Sequence, residues 1–135
     1  MEDVGDLISR YPAIEPIVDE CRRLLTSAFP GSAETTDPKA GLIAYGYGPG
    51  YKNVVATLIL GRQSVKIGVP YSAAFDDPFR LLAGTGKVHR HIAVDSVSDL
   101  GRPGVSALLA ASREAWQRRT ANGGARQERF QRTPR

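Results

Sequence analysis

The stretch "NVVATLILGRQSVKIGV" (residues 53–69) decides how the rest of the chain is read. Residues 53–60 are rich in Val, Ile and Leu with one Thr, the composition of a buried strand. Gly61-Arg62-Gln63 then makes a turn. "SVKIGV" (64–69) alternates, with Val65, Ile67 and Val69 on one side and Ser64, Lys66 and Gly68 on the other. Two such runs joined by a short glycine turn predict a β-hairpin. Outward from it, "GLIAYG" (41–46) and "RHIAV" (90–94) read as further strands. The second puts Arg90, Ile92 and Val94 on one face and His91 and Ala93 on the other.

Beyond this β-rich middle the period becomes helical. Ile14, Ile17, Val18, Cys21, Leu24, Leu25 and Phe29 form one stripe of a helix expected over 12–29, stopped by Pro30-Gly31. Acidic residues near its start and Arg22 and Arg23 near its end suit the helix dipole. A helical turn over 4–10 is expected to precede it. A last helix is expected over 103–118, with Val105, Leu108, Leu109, Ser112 and Trp116 inward. "DDPFRLLAG" (76–84) reads as one helical turn, capped by Asp76 or Asp77, with Pro78 first and Gly84 at its end. Helices at the two ends of a run of strands define the α+β class. The expected fold is a small antiparallel or mixed sheet packed by N-terminal and C-terminal helices.

The 135 residues suit a single domain, placed at 1–118. The net charge of +4 is unevenly spread: residues 113–135 hold seven Arg and two Glu, while residues 1–112 are close to neutral. Segment 119–135 has no apolar period and is expected to be a disordered basic tail, able to make weak, salt-sensitive contact with nucleic acid. No run approaches the ~20 apolar residues of a membrane helix, and "MEDVGDLISR" lacks the basic-then-apolar order of a secretory signal. One cysteine allows no internal disulfide, so the cytoplasm is the expected compartment. Cys21 lies on the apolar stripe and reads as a buried, inert thiol.

Three stretches could carry chemistry. In "LLAGTGKVHRHIAV" (81–94) a nucleotide P-loop would need Gly at position 81 and Ser or Thr at 88; Leu81 and Val88 stand there, so that class is excluded. An anion site survives: Gly84 and Gly86 free the backbone to turn amides outward, while Lys87 and Arg90 bring charge. His89 and His91 are two apart, so an extended chain would set both imidazoles on one face, a possible metal pair lacking its further ligands. In "AYGYGPGYKN" (44–53), Tyr51 stands where a dinucleotide fingerprint needs its third glycine, which excludes that loop and leaves tyrosines on a Gly-Pro-Gly hinge able to cover a ring. No Gly-x-Ser-x-Gly elbow is present.

The motif order "YGYGPGYKNVVATLIL", hairpin, "DDPFRLLAGTGKVHRHIAV", amphipathic helix resembles the YdhG-like family of domains over residues 4–118. The resemblance implies a small α+β domain. It places the family motif on Gly84, Gly86, Lys87, Arg90 and His91, with Tyr45, Tyr51 and Lys52 as a second block. Some members are described as frataxin-like iron chaperones, which would make iron the cargo. Here "AETTDPKAGLIAYGYGPGYK" (33–52) carries only Glu34 and Asp37 where members often hold more acid. The expected function is therefore a non-enzymatic binding module. Its ligand, a metal such as iron or a small anionic metabolite, would sit where the 45–52 loop meets Lys87, Arg90 and His91.

Overall fold

A computed structural model of the chain describes residues 3–132, with side chains described as far as Ala121. Six strands form one sheet: β1 (Ala33–Asp37), β2 (Leu42–Gly46), β3 (Val54–Leu60), β4 (Val65–Val69), β5 (Leu82–Ala83) and β6 (Arg90–Val94). Their order is β1-β2-β3-β4-β6-β5, and every neighbouring pair is antiparallel. Three helices, α1 (Val4–Ser9), α2 (Glu15–Ala28) and α3 (Val105–Arg132), complete an α+β fold. None of the described helices is long and apolar enough to cross a membrane.

The hairpin forms because its alternation gives β3 and β4 a shared apolar side. Leu58 sits opposite Ile67 and Leu60 opposite Val65, and all four are buried. Ile43 and Tyr45 of β2 and Ile92 and Val94 of β6 extend that side, and α2 and α3 pack across it. The stripe of α2 buries Ile17, Val18, Cys21 and Leu25, and that of α3 buries Val105, Leu108, Leu109 and Ser112. Burial with the Glu20 charge beside it pushes the Cys21 thiol up to about 12, which makes it a poor nucleophile. The other side of the sheet carries no helix among the described residues.

One register break positions the helices. Between Tyr45 and Gly46 the β2–β3 pairing slips, and Val55 becomes the extra residue of a bulge. Its carbonyl accepts a 2.7 Å hydrogen bond from the buried Ser112 hydroxyl of α3. A serine on an apolar stripe is thus matched to a carbonyl that the ladder leaves over.

Several expectations are corrected. Segment 76–84 is not a helical turn. Both Asp77 carboxylate oxygens accept backbone N–H groups, from Leu81 and Leu82 at 2.9 Å each, so Asp77 organises a loop that ends in the two-residue β5. Gly84, expected as a helix stop, follows that strand at φ 106°; Gly86 needs no positive φ, but a Cβ there would lie 2.5 Å from the His89 carbonyl. "AETTD" (33–37), for which the sequence predicts no element, is edge strand β1, which pairs with β2 along its length although it buries no apolar residue. α3 continues past Arg118 through the residues 119–121 that the sequence assigns to a tail, and on to Arg132. The core-facing period stops near Trp116, and Arg119, one turn on, still holds the helix to the sheet end through the Lys52 carbonyl and the Tyr71 ring. The side chains beyond Ala121 and residues 133–135 lie outside the described residues, and the nucleic-acid contact expected of the basic tail falls largely on them.

Candidate ligand site at one end of the sheet

The residues of the expected site separate into three places. Tyr45 points to the helix side, where its hydroxyl donates a 2.5 Å hydrogen bond to Glu34, and Arg22 of α2 grips the same carboxylate through Nε and Nη2 at 2.9 Å each. Burial pushes the Glu34 carboxyl up, but the hydrogen bonds from Arg22 and Tyr45, with the guanidinium charge, outweigh it and hold the group below its usual range. Burial, together with that carboxylate, raises the Tyr45 hydroxyl far above the ordinary phenol value. This triad ties β1 to α2 and β2. The sequence offers no sign of it beyond a lone Glu34 on a polar strand.

His91 goes to the opposite side, on the open face, across from Gly68 of β4 and Ala83 of β5. Partial burial and the nearby Lys66 charge lower its pKa, favouring the neutral ring. His89 and His91 therefore do not share one face: His89 precedes β6 and turns to the sheet end. Lys87 is exposed on the 84–89 loop, and the Arg90 Nε is occupied by the Gly86 carbonyl at 2.5 Å.

A cluster does form at the sheet end where β3 and β6 begin and β2 and β4 finish. Asn53 holds the 46–53 loop there. Its backbone carbonyl accepts from Tyr47 N–H, its side-chain amide donates to the Pro49 carbonyl at 2.7 Å, and its Oδ1 accepts from the Trp116 indole N–H at 3.0 Å. Tyr47 stacks on Trp116 with ring centroids 4.5 Å apart. The loop so anchored presents Tyr51, 56% exposed, with its ring 5.4 Å from His89 in edge geometry. Tyr71, just past β4, also meets the His89 ring edge-on, at 5.0 Å, and the Arg119 guanidinium stacks 4.1 Å over the Tyr71 ring.

The cluster is held by unusual backbone. Tyr71 adopts a left-handed conformation, φ 59° and ψ 23°, which costs a non-glycine residue on the order of 1 kcal/mol. Its N–H donates to His89 Nδ1 at 3.0 Å, so the His89 proton sits on Nε2. The following residues, Ser72 and Ala73, hydrogen-bond to Arg90 and Val88, which fixes the strand start against them. Arg119 donates to the Lys52 carbonyl at 3.4 Å, while its Nε is buried and has no hydrogen-bond partner among the described residues. Burial and the neighbouring Tyr71 raise the Tyr51 hydroxyl, so it stays protonated at neutral pH.

Of the expected residues, the fold brings together Tyr51 and His89, with Lys52 taking part through its backbone carbonyl, and it adds Tyr71 and Arg119. Tyr71 follows a proline in "GVPY" and Arg119 is one of seven C-terminal arginines, so neither carries a motif. No three His, Cys, Asp or Glu side chains come together among the described residues. The chain matches no protein-family model, no curated protein and no solved structure.

Proposed function

We propose that this protein is a non-enzymatic module that binds a small anionic metabolite with a planar part at the Tyr51–Tyr71–His89–Arg119 cluster. The observation that carries this reading is the meeting of two tyrosines, an imidazole with its proton on Nε2 and a guanidinium from four separate segments. The tyrosine faces would cover a ring, and His89 Nε2 and Arg119 would donate to a carboxylate or phosphate. The competing cargo, iron, is less favoured, since its usual carboxylate and imidazole ligands do not gather in threes among the described residues. The YdhG-like resemblance is retained as a proposal, supported by the α+β order of helices and strands. A cytoplasmic location is likewise proposed, supported by the single, buried cysteine.

The test is a thermal-shift and calorimetric screen of planar anions, aromatic carboxylates and nucleoside monophosphates, beside Fe(II) under anaerobic conditions. A ligand at 100 times its Kd stabilises the native state by about 2.7 kcal/mol, a clear rise in Tm. Binding should weaken at least tenfold in Tyr51→Ala and His89→Gln. Unchanged affinity in both variants, or tight Fe(II) binding without any anion binding, would overturn the reading.

A further inference from the structure

The open face of the sheet is unusual for a surface left to solvent. Antiparallel sheets with one wet face place polar and charged residues there. Here the outward residues of the three central strands are Leu42 and Ala44, Thr57 and Ile59, and Lys66 and Gly68, with Lys66 the single charge. Ile59 is 37% exposed in the middle of the sheet. A Cβ on Gly68 would come 2.2 Å from the Thr57 hydroxyl, so the centre of the face has no room for a larger residue, while toward one end the 48–50 loop borders a cavity of about 280 Å³ over Ala33, Thr35 and Ala44.

One register line crosses the face as Asp37, Leu42, Ile59, Lys66. The next line runs Thr35, Ala44, Thr57, Gly68. With strands about 4.8 Å apart, Asp37 and Lys66 lie roughly 7 Å on either side of the midline between β2 and β3. The pattern is acid, apolar, apolar, base, and it is complementary to its own reverse.

We propose that a second copy of this chain docks on this face, about a two-fold axis running along the strands above the β2–β3 midline. That rotation sets Leu42 over the partner's Ile59 and Asp37 over the partner's Lys66. In the next line Ala44 meets the partner's Thr57, and Thr35 meets the partner's Gly68. Moving the axis toward β4 by half a strand spacing sets Lys66 against the partner's Leu42, by a whole one against the partner's Ile59 and by one and a half against itself, so charge and shape select one arrangement. An isologous contact of this kind closes on itself as a dimer. Aligned sheets pack about 10 Å apart, a distance that small residues at the centre permit. Four strands of five residues present a footprint on the order of 300 Å² per copy, below the ~800 Å² of a standard interface. The dimer is accordingly weak, with a Kd of roughly micromolar or above.

Sedimentation velocity of the full chain over a concentration series at low salt tests this. The dimer fraction should rise with concentration and fall with added salt. Asp37→Lys and Lys66→Asp should each weaken association at least tenfold, because each homodimer then contains two like-charge contacts. An equimolar mixture of the two variants should associate again, since both pairs are restored in the mixed dimer. Ile59→Arg, a change on an exposed side chain, should abolish association with the circular dichroism spectrum unchanged. A chain that stays monomeric at millimolar concentration overturns the proposal. So does association that survives Ile59→Arg, or a mixture that associates no better than either charge variant alone.

Discussion

Along β2, β3 and β4 the residues facing the helices are Ile43, Tyr45, Leu58, Leu60, Val65 and Ile67, while their chain neighbours facing outward are Leu42, Ala44, Thr57, Ile59, Lys66 and Gly68. The two sets share one backbone and nearly the same strand propensity. They differ in what they touch: the first set meets two helices, the second no helix among the described residues. Side-chain volume on the helix face is therefore fixed by packing. On the open face it is limited only by close contacts within the sheet, such as Gly68 against Thr57. The pairs of adjacent residues make the contrast testable at nearly constant chemistry.

The widest gap is expected at Leu58 and Ile59. Leu58→Ala should cost about 2–5 kcal/mol, the range for a fully buried leucine, as read by urea unfolding of dilute protein. Ile59→Ala should cost well under that, within about 1 kcal/mol. Equal costs would mean that the open face is covered in the folded chain.

A smaller effect is expected at Tyr45. Tyr45→Phe keeps the ring in the core but removes the hydrogen bond to Glu34, and should cost about 1.5–3 kcal/mol, the range for bonds to charged groups. The Glu34 carboxyl is held below its unfolded value, so its contribution is complete above about pH 4.3 and is lost as pH falls through the folded value. Glu34→Gln should remove that acid-sensitive part, measured as unfolding free energy against pH.

The smallest effect lies on the open face at His91. Its pKa is lowered in the fold, so below about pH 6.5 the unfolded chain takes up the proton first. Stability should decline slightly as pH falls from 6.5 and level off beneath the folded value. His91→Gln should flatten this region of the curve, and an unchanged slope would assign it to other groups.

The parts legible in the sequence are those where one period dominates. The stripe from Ile14 to Phe29 and the alternation from Val65 to Val69 record contact with the core, and the burial follows them except at Leu24, which is only partly buried. Edge strand β1 escapes such reading because "AETTD" buries no apolar residue; the hairpin pairing with β2 and the Arg22–Glu34 bridge hold it, and neither leaves an apolar period in the sequence. Segment 76–84 carries helix-start residues, yet the Asp77 side chain satisfies Leu81 and Leu82 N–H groups and gives the backbone an alternative. The candidate site is legible only in part. Tyr51, Lys52 and His89 stand out as residue types in glycine-rich loops, whereas Tyr71 and Arg119 join them from a strand end and a helix that spacing does not connect.

Ser112, Trp116 and Arg119 lie at intervals of four and three, along one stripe of α3 that spans roughly 10 Å at 1.5 Å per residue. Ser112 is fastened to the bulge carbonyl of Val55, Trp116 to Asn53, and Arg119 lies over Tyr71. The helix thus works as a ruler whose zero is a buried hydroxyl. Where that hydroxyl is anchored sets how far the guanidinium reaches at the sheet end, so the calibration of the ligand cluster resides two turns away in the core.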